Sequence, residues 1–149
     1  MQSNSIQNNN SKKNNKTVLI VDDIPFVRKT LKQILINQGF KVVGEAETGE
    51  EAVQLYRDTQ PTIVTMDLVM PIMNGVEATK KILQFDPTAQ IVILSAMMQE
   101  NLVTEAILAG AKDYIMKPFQ TEDVARVLAQ VIKNSREFNP TENEAGGAA

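Results

Sequence analysis

The sequence predicts an open α/β domain in which a doubly wound, five-stranded parallel sheet is covered on both faces by five helices. Three observations carry that expectation. Short apolar runs alternate with helical patterns from Thr17 to Asn134, the signature of successive βα units. Four of the apolar runs end on polar or charged residues: Asp22-Asp23, Asp67, Ser95 and Lys117. The alternating stretch is also too short for the eight strand–helix units of a closed barrel, so the sheet stays open. Its crossovers are expected to be right-handed.

The first strand is Val18-Leu19-Ile20-Val21, an unbroken apolar run of the kind buried on both faces. Pro25 suits the first turn of the next helix, whose inner face is Val27, Leu31, Ile34 and Leu35 and which Gly39 stops. Lys41 to Ala46 reads as a second, shorter strand. Gly49 to Thr59 is a short helix carrying Ala52, Val53 and Leu55, ended by Pro61. The third strand, Thr62-Ile63-Val64-Thr65-Met66, closes on Asp67. A loop with Pro71 and Gly75 then leads into the helix Val76 to Phe85, which Asp86-Pro87 breaks. Ile91-Val92-Ile93-Leu94 is the fourth strand and closes on Ser95. Gln99 to Ala109 is a helix closed by Gly110, and Asp113 to Met116 is the fifth strand. The last helix, Thr121 to Lys133, carries Val124, Val127, Leu128, Val131 and Ile132 as a strict i, i+3, i+4, i+7, i+8 stripe. Thr121 is its expected N-cap, with Glu122 and Asp123 complementing the helix dipole.

Composition narrows the chemistry. With 149 residues and 43% hydrophobic content the chain suits one ordinary core. A net charge of −3 offers no footprint for nucleic acid. The absence of cysteine removes disulfides, thiolate metal sites and cysteine nucleophiles, and the absence of histidine removes imidazole acid–base chemistry. No apolar stretch approaches the roughly 18 residues that span a bilayer, and the N-terminus lacks a signal-peptide core, so the expected location is the cytoplasm. Residues 1–16 are polar, rich in Asn and without an acidic residue, and residues 135–149 are polar with a Gly-Gly pair. Both read as disordered tails flanking a domain at 17–134.

Parallel strands present the same end to the same side of a sheet, where open α/β folds bind ligands. The predicted strand ends therefore gather Asp22, Asp23, Asp67, Ser95 and Lys117 in one crevice. Taken singly, each has a plain structural explanation: a helix cap, a strand-end hydroxyl, a solvated charge. Capping accounts for one of Asp22 and Asp23 but not both. It does not account for Asp67, because Leu68-Val69-Met70-Pro71 follows and no helix begins there. Three crowded carboxylates repel and need a cation. Oxygen ligands with room for water and a phosphate favour Mg²⁺.

With these residues in place, the sequence resembles the receiver domains of two-component response regulators over essentially Thr17 to Lys133. The resemblance rests on Val21-Asp22-Asp23, on Met66 to Gly75 (MDLVMPIMNG), on Ser95-Ala96 and on Lys117-Pro118-Phe119. Ala109 to Tyr114 (AGAKDY) adds to it. Within the family the chain looks most like the stand-alone chemotaxis regulators, particularly those with Ser-Ala-Met after the fourth strand. A flavodoxin-like strand order of 2-1-3-4-5 is inherited from this resemblance.

The resemblance also implies roles. Asp67 would accept a phosphoryl group from the phosphohistidine of a sensor histidine kinase, CheA-like in a chemotaxis system. Asp22, Asp23, Asp67 and the backbone carbonyl of Val69 would bind Mg²⁺. Lys117 would pair with Asp67 and then with the phosphate, to which Ser95 would donate a hydrogen bond. The Lys117-Pro118 bond would be cis. Tyr114 would turn inward as Ser95 is drawn to the phosphate, switching a face made by the fourth helix, fifth strand and fifth helix. The protein would then be a monomeric phosphoacceptor rather than an enzyme, assisting its own phosphorylation and slow dephosphorylation. Its downstream partner would be the flagellar motor switch. A phosphorelay intermediate, or a regulator of another protein, is the alternative that acceptor-site motifs leave open.

Val69 and Met97 flank the expected path of an attacking water, and two apolar side chains there predict a long-lived phosphorylated state. Met97 and Met98, just before the fourth helix, are suited to partner contacts. Other classes fit less well. A haloacid-dehalogenase-type phosphohydrolase wants a second aspartate where Val69 stands. A nucleotide or flavin binder wants a phosphate-cradling glycine motif, and none is present. A transcription factor wants a DNA-binding output domain, for which the polar segment after Lys133 leaves no room.

Overall fold

The structure, a computed structural model, describes residues 16–137, and the expected tails lie almost wholly outside the described residues. Ten elements alternate without exception: β1 Thr17–Val21, α1 Pro25–Asn37, β2 Lys41–Ala46, α2 Gly49–Thr59, β3 Ile63–Asp67, α3 Gly75–Phe85, β4 Ile91–Ser95, α4 Glu100–Ala109, β5 Asp113–Met116 and α5 Thr121–Glu137. The strands form one parallel sheet in the order β2-β1-β3-β4-β5. The doubly wound architecture and strand order expected from the sequence are both present.

Alternation along the strands divides the interior into two layers. Leu19, Val21, Val64, Met66, Ile91 and Ile93 face one way and pack under α2, α3 and α4 through Ala52, Val53, Tyr56, Val76, Ala78, Ile82 and Ala106. Val18, Ile20, Ile63, Val92, Leu94 and Ile115 face the other way, against Leu31 and Leu35 of α1 and Val124, Val127, Leu128 and Val131 of α5. This is why β1, β3 and β4 read as continuous apolar runs: all their residues are buried. The edge strands β2 and β5 are only partly covered. The β1–β2 register slips at Val18/Leu19, where Val42 and Gly44 are successive partners.

The ends of the helices follow local chemistry. Thr48 and Asn74 cap α2 and α3 by accepting the N–H of Glu51 at 3.1 Å and of Glu77 at 2.9 Å. Pro25 opens α1, and Gly39 at φ 91° follows its C-cap. Two expectations at α5 need correction. Thr121 is its first helical residue, not its N-cap: the Gln120 carbonyl accepts from Asp123 and Val124, and the Asp123 carboxylate accepts the Gln120 N–H at 3.2 Å. The helix also continues to Glu137 instead of ending at Lys133, since no Gly or Pro interrupts the sequence before Pro140.

One buried polar link ties α2 to the turn after α3. The Tyr56 hydroxyl donates to Asp86 at 2.7 Å, and Asp86 also accepts from the Thr88 N–H and hydroxyl. The Tyr56 ring meets Phe85 edge-on, with centroids 6.4 Å apart. Hydrogen bonds from Thr88 and Tyr56 hold the Asp86 carboxyl below its ordinary range, and burial holds the Tyr56 phenol above its own. Tyr56→Phe is expected to cost about 1 kcal/mol at neutral pH, read as a lower urea midpoint at unchanged slope. Because the Asp86 pKa is depressed on folding, its contribution is present above its unfolded pKa of about 4 and fades as the pH falls through the lower folded value.

Candidate functional site

The carboxyl ends of β1, β3 and β5 bring Asp22, Asp23, Asp67 and Lys117 together, and Ser95 ends the neighbouring strand β4. Asp22 follows β1, and its N–H prolongs the ladder to the Ala46 carbonyl at 3.0 Å. Neither Asp22 nor Asp23 caps α1. The N-cap is Ile24, which receives no side-chain cap, while Asp22 Oδ1 accepts the Ile24 N–H at 2.9 Å and fixes the turn. Asp67 is the last residue of β3. Asp22 is 1% exposed and Asp67 5% exposed, whereas Asp23 is partly open to solvent.

The loop after Asp67 is drawn tightly against it. The Gly75 N–H donates to the Leu68 carbonyl at 2.8 Å, and a Cβ on Gly75 would collide with the Asp67 carbonyl. Glycine is therefore required for α3 to begin so close to the strand end. Between them the Met73 N–H donates to the Pro71 carbonyl at 2.8 Å, with Ile72 at φ 70°. This is a γ-turn in a conformation that a β-branched residue rarely adopts.

Electrostatics define the crevice. Asp22, Asp23 and Asp67 each offer a carboxylate oxygen, all within 4.8 Å of one another. Lys117, delivered by β5, places its ammonium 2.7 Å from Asp22 and 3.2 Å from Asp67. The pairing expected with Asp67 is thus shared, with Asp22 the nearer partner. The Lys117–Pro118 bond is cis, as the resemblance implied, and the Lys117 N–H bonds the Ser95 carbonyl at 2.7 Å. Burial, then the charge of Asp22, push the Asp67 pKa up to about 6 against the pull of Lys117. Burial alone would lower the Lys117 pKa. The hydrogen bond to Asp22 and the charge of Asp67 outweigh it and hold the ammonium above its ordinary value.

Ser95 is buried, and its hydroxyl lies 2.9 Å from the Ala96 carbonyl and 3.4 Å from Gln99 Oε1. Tyr114, partly exposed, borders with Ser95 a groove of about 350 Å³ between β5 and α4, shared with Val103, Ile107 and Met116. Val69, Met97 and Met98 are exposed at the rim of the loops. Two contacting side chains went unremarked in the sequence. Arg28 donates to the Asp22 carbonyl at 2.7 Å and to Glu45 at 3.2 Å, bracing the β1 end. Gln99 reads from the sequence as the start of a helix. A signal for each existed: Arg28 is a charge on the otherwise apolar side of α1, and Gln99 lies four residues after Ser95.

The donor set fits a hard divalent cation. Three carboxylates cluster within 4.8 Å, the ammonium contacts two of them, and Asp23 is partly exposed to solvent, a set of hard oxygen donors with room for water. Without that cation, ionising Asp67 costs stability. A carboxyl whose pKa rises on folding is stabilising only while protonated, so the penalty develops above about pH 4 and is complete above about pH 6. Asp67→Asn is therefore expected to be more stable than the parent at pH 7 in chelator, by on the order of 2 kcal/mol. The gap should shrink between pH 6 and pH 4 in paired denaturation curves.

Comparison with known proteins agrees with this geometry. Residues 18–129 match the response regulator receiver domain. The chemotaxis protein CheY of Thermotoga maritima is 52% identical over 118 residues, spanning 79% of this chain and 98% of that protein. CheY of Bacillus subtilis is 48% identical over 115 residues, spanning 77% and 96%. Among solved structures, a CheX–CheY–BeF3–Mg complex from Borrelia burgdorferi is similar at a TM-score of 0.75 and 38% identity, covering 78% of this chain and 89% of that one. Residue arrangement, strand order and sequence converge: the chain belongs to the response regulator receiver domain family and is CheY-like.

Proposed function

We propose that Asp67 is the phosphoacceptor of a two-component pathway and that phosphorylation switches the surface formed by α4, β5 and α5. The observation that carries this reading is the placement of Asp67: a buried carboxylate at the end of the central strand, 3.2 Å from Lys117 and within 4.8 Å of two further aspartates. The donor is the phosphohistidine of a sensor histidine kinase. Its phosphorus–nitrogen bond breaks as a bond forms from an Asp67 oxygen to phosphorus, and the departing imidazole takes up a proton. Asp22, Asp23, Asp67 and the Val69 carbonyl would hold Mg²⁺, which neutralises charge on the phosphoryl group. Lys117 exchanges its contact with the Asp67 carboxylate for one with a phosphoryl oxygen, and the Ser95 hydroxyl donates to another. As Ser95 moves, Tyr114 turns into the groove it borders.

The likeness to two CheY proteins favours a flagellar motor switch target for a monomeric, cytoplasmic messenger comprising residues 17–134. No helix among the described residues is long and apolar enough to cross a membrane. A single-domain phosphorelay intermediate is the competing role. Binding of the phosphorylated chain to a flagellar switch peptide, or phosphate transfer to a histidine phosphotransfer protein, separates the two.

Incubation with acetyl phosphate and Mg²⁺ is expected to give a labile phosphoryl mass adduct on the parent chain, lost on chelation and absent from Asp67→Asn. An adduct that persists in the variant refutes the assignment. The exposed apolar side chains of Val69 and Met97 neither orient nor activate water beside the acyl phosphate. Val69→Asn is accordingly expected to shorten the lifetime of the phosphorylated protein severalfold, followed by loss of the adduct after acetyl phosphate is removed. An unchanged decay rate overturns that role.

A further inference from the structure

Gln99 sits where a helix N-cap normally turns its side chain forward onto the first helical N–H groups, as Thr48 and Asn74 do. It makes no such bond. Its carboxamide reaches backwards, and the single oxygen Oε1 accepts the Ala96 N–H at 2.9 Å and stands 3.4 Å from the Ser95 hydroxyl, whose nearer acceptor is the Ala96 carbonyl at 2.9 Å. The Ala96 N–H is the first donor past the end of β4, the strand beside the one that carries Asp67. A backbone N–H has one proton to give, and a hydroxyl one. An oxygen of a phosphoryl group on Asp67 must therefore displace an acceptor already in place.

We propose that Gln99 is a positioning residue, a latch whose amide oxygen occupies the Ala96 N–H until a phosphoryl group evicts it. The inference rests on Asp67 as acceptor. Eviction does two things at once. It frees the Ala96 N–H, and it releases the residue that leads into α4 and lines the groove bordered by Tyr114. The event at β4 is thereby tied to the output helix through a single side chain. The latch opposes the phosphorylated state by roughly the net worth of a neutral hydrogen bond, about fivefold in an equilibrium.

The test is a titration with beryllium fluoride at fixed Mg²⁺, followed through the Ala96 amide resonance, on the parent, Gln99→Met, Gln99→Ala and Gln99→Glu. Met keeps the length of the side chain without a strong acceptor, and Glu replaces the amide oxygen by a charged one. The latch gives opposite signs: the Met and Ala variants bind roughly fivefold more tightly, and the Glu variant binds more weakly because its carboxylate holds the Ala96 N–H and repels the anion. In the unliganded Met and Ala variants the Ala96 amide resonance also shifts away from its parent position. If all three variants bind more weakly, or all bind as the parent does, Gln99 merely supports the loop and the inference is overturned. A parent chain that binds no beryllium fluoride, or an Asp67→Asn control that binds it equally well, instead overturns the acceptor assignment beneath it.

Discussion

Excess negative charge at one edge of the sheet is the constraint on which the rest of the molecule depends. Asp22 and Asp67 are almost wholly buried and share the Lys117 ammonium, while Asp23 has a carboxylate oxygen within 4.8 Å of theirs. Burying unbalanced charge is costly, and a marginally stable domain tolerates it only where the surrounding structure is stiff enough to hold the groups in place. The stiffness comes from three consecutive strands buried on both faces and from two apolar layers that clamp them. Arg28 braces the end of β1, and Gly75 lets α3 begin directly against the end of β3. The site is a local destabilisation supported by the regularity of everything beneath it.

The same charge imbalance explains why Lys117 is shared. An ammonium committed to Asp67 alone would leave Asp22 buried and unpaired, whereas between them it compensates both partly and neither fully. That leaves the crevice receptive to a cation beside the carboxylates. It also leaves the lysine, already shared, able to exchange one anionic partner for another. Under the proposed function the cation offsets both the crowded carboxylates and the charge of the phosphoryl group that arrives at Asp67.

Much of this was legible in the sequence, for reasons that can be located. Buried parallel strands give unbroken apolar runs, and their ends place Asp22, Asp67, Ser95 and Lys117 on one side by topology alone. What stayed hidden depends on side-chain direction rather than spacing. Nothing in the sequence says that Lys117 reaches Asp22 at 2.7 Å as well as Asp67 at 3.2 Å, since both aspartates stand at equivalent strand ends. Thr121 looked like a cap because threonine favours that position, yet Asp123 reaches back to Gln120 and moves the helix start by one residue. Gln99 offers only its spacing from Ser95, since glutamine is an ordinary helix former, and the backward turn of its carboxamide is what sets it apart.

That turn also bears on which helix transmits a signal. The helices flanking α4 in sequence are anchored at their first turns, α3 by the Asn74 cap and α5 by the reciprocal contact of Asp123 with Gln120. α4 has no side-chain cap and buries one residue, Ala106, while Leu108 stands 81% exposed on it. An element that buries little apolar surface opens or shifts at low cost. For such an element a change worth a single hydrogen bond is a substantial fraction of what fixes its position, whereas the same change at α5, with Val124, Val127, Leu128 and Val131 in the core, would be lost against its packing. Under the proposed function, a switch driven by one small event at β4 would act on a lightly anchored helix. The one next to β4 is α4, with Ala106 buried and Leu102 and Val103 packed at the margin of the core.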